Sequence, residues 1–157
     1  MKQISKEALQ LAKYIHDWIS VYTVSIQSNS PHTIRRYSIT LSLFVDFLEK
    51  EKGIIPLNLT SECFSRKYIE DWIMWLKHSR NCSKETCNLR LSAIRSFLKF
   101  LAGKDVSYLS LYQTSTLIPM QKTEKRKITG MTKEAVKALM SVPDISTKVG
   151  FRDLTLL

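Results

Sequence analysis

The 157 residues suffice for one sizeable core with a short extra segment, and 44% apolar against 24% charged residues exclude both a disordered chain and a fibrous repeat. The 24 Lys and Arg against 14 Asp and Glu give +10 at pH 7, so the expected partner is a polyanion, either a phosphate backbone or an acidic membrane surface. No apolar run is long enough to cross a membrane, Met1 to Gln10 carries charges where a signal peptide needs an apolar stretch, and Cys63, Cys82 and Cys87 form no CxxC, which together predict a cytoplasmic protein with reduced cysteines and no disulfide framework.

From Lys6 to about Gln27 the residues Ala8, Leu11, Ile15, Trp18, Ile19, Tyr22 and Ile26 recur at the steps of one helix face. Ser30 and Pro31 then predict a cap and first turn for a second helix, with Ile34, Tyr37, Leu41, Phe44, Val45 and Leu48 on its apolar side and Gly53 at its end. After Pro56 the spacing of Tyr68, Ile69, Trp72, Ile73, Trp75 and Leu76 predicts a third helix over Ser65 to His78. Ser83 caps a fourth, with Cys87, Leu91, Ile94, Phe97, Leu98 and Leu101 inward and Gly103 closing it, and Val106 to about Leu117 forms a shorter fifth. Nothing in this stretch alternates as a half-buried strand does, so the expected fold is all-α, a compact bundle of four to five helices over residues 1–117.

Composition changes at Pro119, and QKTEKRKITG reads as a basic linker spanning residues 118–130. Thr132 caps a short helix through Met140, Pro143 breaks it, and a last amphipathic stretch runs from Thr147. Its apolar residues Phe151, Leu154, Leu156 and Leu157 have no downstream partner to bury them, which reads as the truncated start of a second domain over 131–157. The alternative is a helix that folds back on the bundle.

Two clusters could carry function. On the fourth helix Lys84, Asn88, Ser92, Arg95 and Lys99 share one stripe of about 80° of arc, away from the apolar side. His32, Thr33, Arg35 and Arg36 occupy the first turn of the second helix, where free backbone N–H groups and the helix dipole favour an anion. A charge run alone is most often a solvated face. Two runs on neighbouring helices, with Thr86 beside the first and Lys122, Lys125, Arg126 and Lys127 in the linker, point instead to a phosphate backbone. His78, Cys82 and Cys87 make a poor zinc set, with only three ligands and one of them on the apolar side, and no P-loop, GxSxG or HExxH occurs, so no metal or cofactor is expected.

These segments resemble one family. SPHTIRRYSITLSLFVDFLEKEKG from Ser30 to Gly53 and SKETCNLRLSAIRSFLKFLAG from Ser83 to Gly103 are similar to the two DNA-contacting helices of tyrosine recombinases of the phage-integrase type. The run Leu91 to Leu98 fits the family's LSAxRxFxxFL-like pattern closely, and MTKEAVKALM and GFRDLTLL resemble the opening helices of its catalytic domain. The resemblance implies a SAM-like core-binding domain that clamps double-stranded DNA, with Asn88 as a base reader. It also implies a parent enzyme that works as a tetramer on DNA, and a monomeric state for this portion. Its catalytic residues match none of these positions: Arg152 precedes the first catalytic arginine, and Tyr14, Tyr22, Tyr37, Tyr68, Tyr108 and Tyr112 match no nucleophile. No enzymatic activity is therefore expected of the chain itself. Two other readings stay open, a helical protein-interaction module with an incidental basic surface and a standalone DNA-binding regulator of a recombinase.

Overall fold

A computed structural model of the chain describes residues 5–27, 30–124 and 130–156. Every regular element among them is helical, and the chain divides into two compact units, Met1–Thr123 and Glu124–Leu157.

The first unit opens with α1, Lys6–Asp17, whose N-terminus is capped by the Ser5 hydroxyl accepting from the Ala8 amide at 3.0 Å. The next ten residues, Trp18–Gln27, depart from the single α-helix that their spacing predicts and wind as a π-helix. A π turn closes on the fifth residue instead of the fourth, so Trp18 and Thr23 face the core. Tyr22 and Ile26, expected inside, stand 37% and 72% exposed.

α2 (Pro31–Lys52) starts behind Ser30 and ends at Gly53, whose φ of 67° is the left-handed turn that a glycine adopts without strain. Single 3-10 turns at Pro56–Asn58 and Ser61–Phe64 lead to α3 (Arg66–His78). α4, Lys84–Lys104, is capped by Ser83 and runs one residue past Gly103, so that glycine lies inside the helix it was expected to close. A short turn at Val106–Tyr108 precedes α5, Leu109–Thr116.

One aromatic chain ties these elements together. Trp18 stacks on Tyr37 of α2 with ring centroids 4.6 Å apart, and its other neighbour is Phe97 of α4 at 5.2 Å. Phe97 lies 5.5 Å from Phe64, Phe64 5.1 Å from Phe44, and Phe44 meets Trp72 of α3 edge-on at 5.2 Å. Trp18, Phe44, Phe64, Trp72 and Phe97 are all fully buried. Each such side chain stabilises the bundle by roughly 1.5–3 kcal/mol through burial, with a further 0.5–1.5 kcal/mol from ring geometry. The predicted apolar faces of α2, α3 and α4 thus converge on one core. On α2, Phe47 and Thr40 join that core as well, the Thr40 hydroxyl being satisfied by donating to the Arg36 carbonyl at 2.8 Å.

A polar link fastens the start of the chain to this core: Glu7 Oε1 accepts from the Ser61 hydroxyl at 2.6 Å and from its amide at 2.7 Å. The two hydrogen bonds hold the Glu7 carboxyl below the usual glutamate range, the hydroxyl contributing most and burial opposing. A lowered native pKa contributes stability that is complete above the ordinary glutamate range and is lost as pH falls through the native value. Glu7→Gln should therefore melt earlier than the parent at pH 6, by about 0.5–1 kcal/mol, and converge with it in thermal melts as pH falls through the native value. A gap that does not narrow with falling pH would show that ionisation of Glu7 is not the cause.

In the second unit Thr132 caps α6 (Lys133–Met140) by accepting from the Ala135 amide, and the Thr147 hydroxyl accepts from Gly150 N at the start of α7 (Lys148–Leu156). A Cβ on Gly150 would lie 2.0 Å from the Asp144 carbonyl oxygen, so the turn between the helices packs where only glycine fits. Val136, Leu139, Phe151 and Leu156 are exposed on these two helices. Among the described residues no helix is long and apolar enough to cross a membrane, and no group of three or more His, Cys, Asp or Glu is placed to hold a metal ion.

Candidate nucleic-acid interface

α2 and α4 pack against each other through their buried faces, and the packing leaves an open groove between the first half of each. His32, Arg35, Arg36 and Ile39 line it from α2, and Thr86, Leu89 and Arg90 from α4. Its volume is about 250 Å³, at the low edge of small-molecule sites, which run from roughly 300 to 1,000 Å³. With three arginines and a histidine around it, the groove suits charged groups presented by a large partner. His32, Arg35 and Arg36 are exposed, while Thr33 is half-buried on the same first turn. The Arg36 guanidinium lies over the Tyr37 ring at 5.6 Å, a contact that orients a long side chain at the groove's edge.

The stripe predicted on α4 does not act as one surface. Lys84 and Ser92 are exposed, and Lys99 is exposed elsewhere, beside Tyr22 and Phe100. Asn88 is turned toward the segment that follows α5, where its Nδ2 donates to the Gln121 carbonyl at 2.9 Å and its Oδ1 accepts from the Gln121 amide at 2.8 Å. Both functions of that amide are taken by one backbone unit, as a neighbouring strand would take them.

Arg95, two turns further along, binds the end of α5: Nε donates to the Ser115 carbonyl at 3.0 Å, and Nη2 to the carbonyls of Thr116 and Ile118. Burial pulls its guanidinium below the usual arginine range, opposed by Tyr112. Ser115 and Ile118 are buried at this junction, and Gln121 is half-buried, so Ile118 and Gln121, read from sequence as part of a linker, pack on the bundle while Pro119 and Met120 between them are exposed. Lys122 is exposed just beyond them; Lys125, Arg126 and Lys127 lie outside the described residues.

Sequence reasoning missed Arg90, Leu89 and Ile39. A usable signal exists, since Thr86 and Arg90 stand one helical turn apart, but Arg90 sits beside the apolar side of α4 instead of opposite it. Arg90 is half-buried, and its Nε is buried with no hydrogen-bond partner among the described residues. The three cysteines are free, and burial raises the Cys87 thiol above its usual range, with Cys82 adding to the shift. A thiol held protonated in this way is a poor nucleophile and a poor metal ligand.

Residues 21–104, the span from the π-helix to the end of α4, match the family model described as phage integrase, N-terminal SAM-like domain. Among curated proteins, the tyrosine recombinases XerC of Chlamydia caviae and Chlamydia muridarum are each 32% identical over 149 residues. Each alignment takes in 87% of this chain and 46% of the relative, so the chain spans about half the length of these relatives. No solved structure matches it significantly.

Proposed function

This chain belongs to the phage integrase family of tyrosine recombinases, whose N-terminal SAM-like domain it carries, and we propose that it grips duplex DNA as the N-terminal clamp of a site-specific recombinase. The observation that carries this reading is the groove in which His32, Arg35 and Arg36 of α2 meet Thr86 and Arg90 of α4. Cations from two helices that lie far apart in sequence converge on one open surface, and a net charge of +10 biases the whole molecule toward a polyanion. Lys84 is a further exposed cation at the start of α4. In this reading residues 1–117 form the clamp, the basic stretch through Lys122, Lys125, Arg126 and Lys127 follows the phosphate backbone, and 131–157 open a catalytic domain.

In this reading strand cutting belongs to the parent recombinase, because phosphate attack requires a nucleophile held among several preorganised cationic groups and the tyrosines here match no nucleophile position of the family. An electrophoretic shift on a 30-bp duplex at two salt concentrations tests the grip, and a suicide duplex tests the chemistry. Binding that weakens as salt rises, with no denaturation-resistant adduct, supports the reading; no binding at low salt would leave a helical protein-interaction module in its place.

A further inference from the structure

The groove contains two side chains that phosphate binding does not explain. Ile39 and Leu89 face it from opposite helices, 41% and 49% exposed, among the cations. Phosphates reward positive charge and hydrogen-bond donors, whereas an aliphatic side chain gains from the bases, and in the major groove the thymine C5 methyl offers it an apolar contact. Arg90 lies next to Leu89, half-buried and with its Nε out of solvent, and a side chain already part-buried loses less freedom when it binds. The other candidate reader on α4, Asn88, has both ends of its amide committed to Gln121.

We propose that Arg90, with Leu89 and Ile39, forms the base-reading part of the interface, Arg90 taking the O6 and N7 edge of a guanine while the two aliphatic side chains cover the methyl of an adjacent thymine. The proposal rests on the DNA-binding reading above. It assigns discrimination to this trio and leaves the exposed Arg35 and Arg36 to the phosphates.

The test is selection from a random 30-bp duplex library with the parent, Arg90→Gln and Leu89→Ser, followed by sequencing. On the parent's selected site, each thymine is also replaced in turn by deoxyuridine, which removes only the methyl. The parent should enrich a motif with neighbouring guanine and thymine. Arg90→Gln should lose the guanine preference, a discrimination of at least about fivefold, and deoxyuridine at the one critical position should weaken the parent about fourfold. Leu89→Ser, which keeps only the Ile39 contact, should lose less than the parent on that replacement. A parent that binds the library without enriching such a motif, or variants that enrich the same motif as the parent, would overturn the base-reading role while leaving DNA binding intact. Failure of the parent to bind any duplex would instead overturn the functional reading beneath it. The deoxyuridine arm uses only the parent and so does not depend on how a variant folds.

Discussion

Changing Arg35 and Arg36 together to alanine should weaken binding to a random-sequence duplex roughly tenfold to a hundredfold at 0.1 M salt, and should make the log–log dependence of affinity on salt shallower by about 1.8. The reasoning starts from position. Both side chains are exposed on the N-terminal half of α2, on the side away from Leu41, Phe44 and Leu48, so their removal takes from the core only the contact of the Arg36 guanidinium with the Tyr37 ring. Each neutralised phosphate releases counterions worth a slope of about 0.9, and two lost contacts remove twice that. Because the contacts are to the backbone, the loss should be nearly uniform across duplex sequences. Fluorescence anisotropy titrations at several salt concentrations read both quantities, and a thermal melt confirms an unchanged bundle. A full loss of affinity with an unchanged slope would mean that the two arginines do not act by neutralising phosphates.

The bundle itself was legible because α2, α3 and α4 each carry local signals, a Ser at the cap position and apolar residues at helical steps, and each signal is decided within its own segment. Trp18–Gln27 defeated that logic. Its apolar residues fit a period of 3.6, yet the chain winds with five-residue closure and leaves Val21, Tyr22, Val24 and Ile26 exposed in part. Packing of Trp18 against Tyr37 and Phe97 is a tertiary fact that no local pattern contains.

The site was half legible for a related reason. Helical spacing states which residues share a face, and Asn88 and Arg95 do share one. It cannot state what covers that face, and here the cover comes from Ser115 to Gln121, 20 to 33 positions away in the chain. Asn88 and Arg95 therefore share the spacing of a solvent-facing or DNA-facing stripe while their side chains bond to Gln121 and to the end of α5. The converse holds for Arg90, whose place beside the apolar side hid its access to the groove.

Arg95→Ala should be the most destabilising polar substitution in the molecule, lowering stability by about 2–4 kcal/mol and the melting temperature by on the order of 10 °C. Three carbonyls accept from this one guanidinium: those of Ser115 and Thr116 at the C-terminal turn of α5, and that of Ile118 beyond it, the Ser115 carbonyl also accepting from the Ile118 amide at 3.3 Å. The last turn of a helix has no intrahelical donors for its carbonyls, and the negative end of its dipole favours a cation there, so Arg95 supplies both charge and hydrogen bonds from another helix. Ser115 is buried and Ile118 is 5% exposed, which limits how well water can replace the lost donors. Hydrogen bonds from a charged donor contribute roughly 1.5–3 kcal/mol each, and three sharing one side chain are less than additive. Arg95→Lys keeps the charge but cannot span three carbonyls from one planar fork, so it should recover less than half of the loss. Asn88→Ala removes only the Gln121 pairing and should cost about 1–2 kcal/mol. Urea denaturation followed by circular dichroism ranks the three variants. The opposite pattern, an Arg95→Ala chain as stable as the parent that no longer binds duplex DNA, would return Arg95 to the interface and make its contacts with α5 incidental.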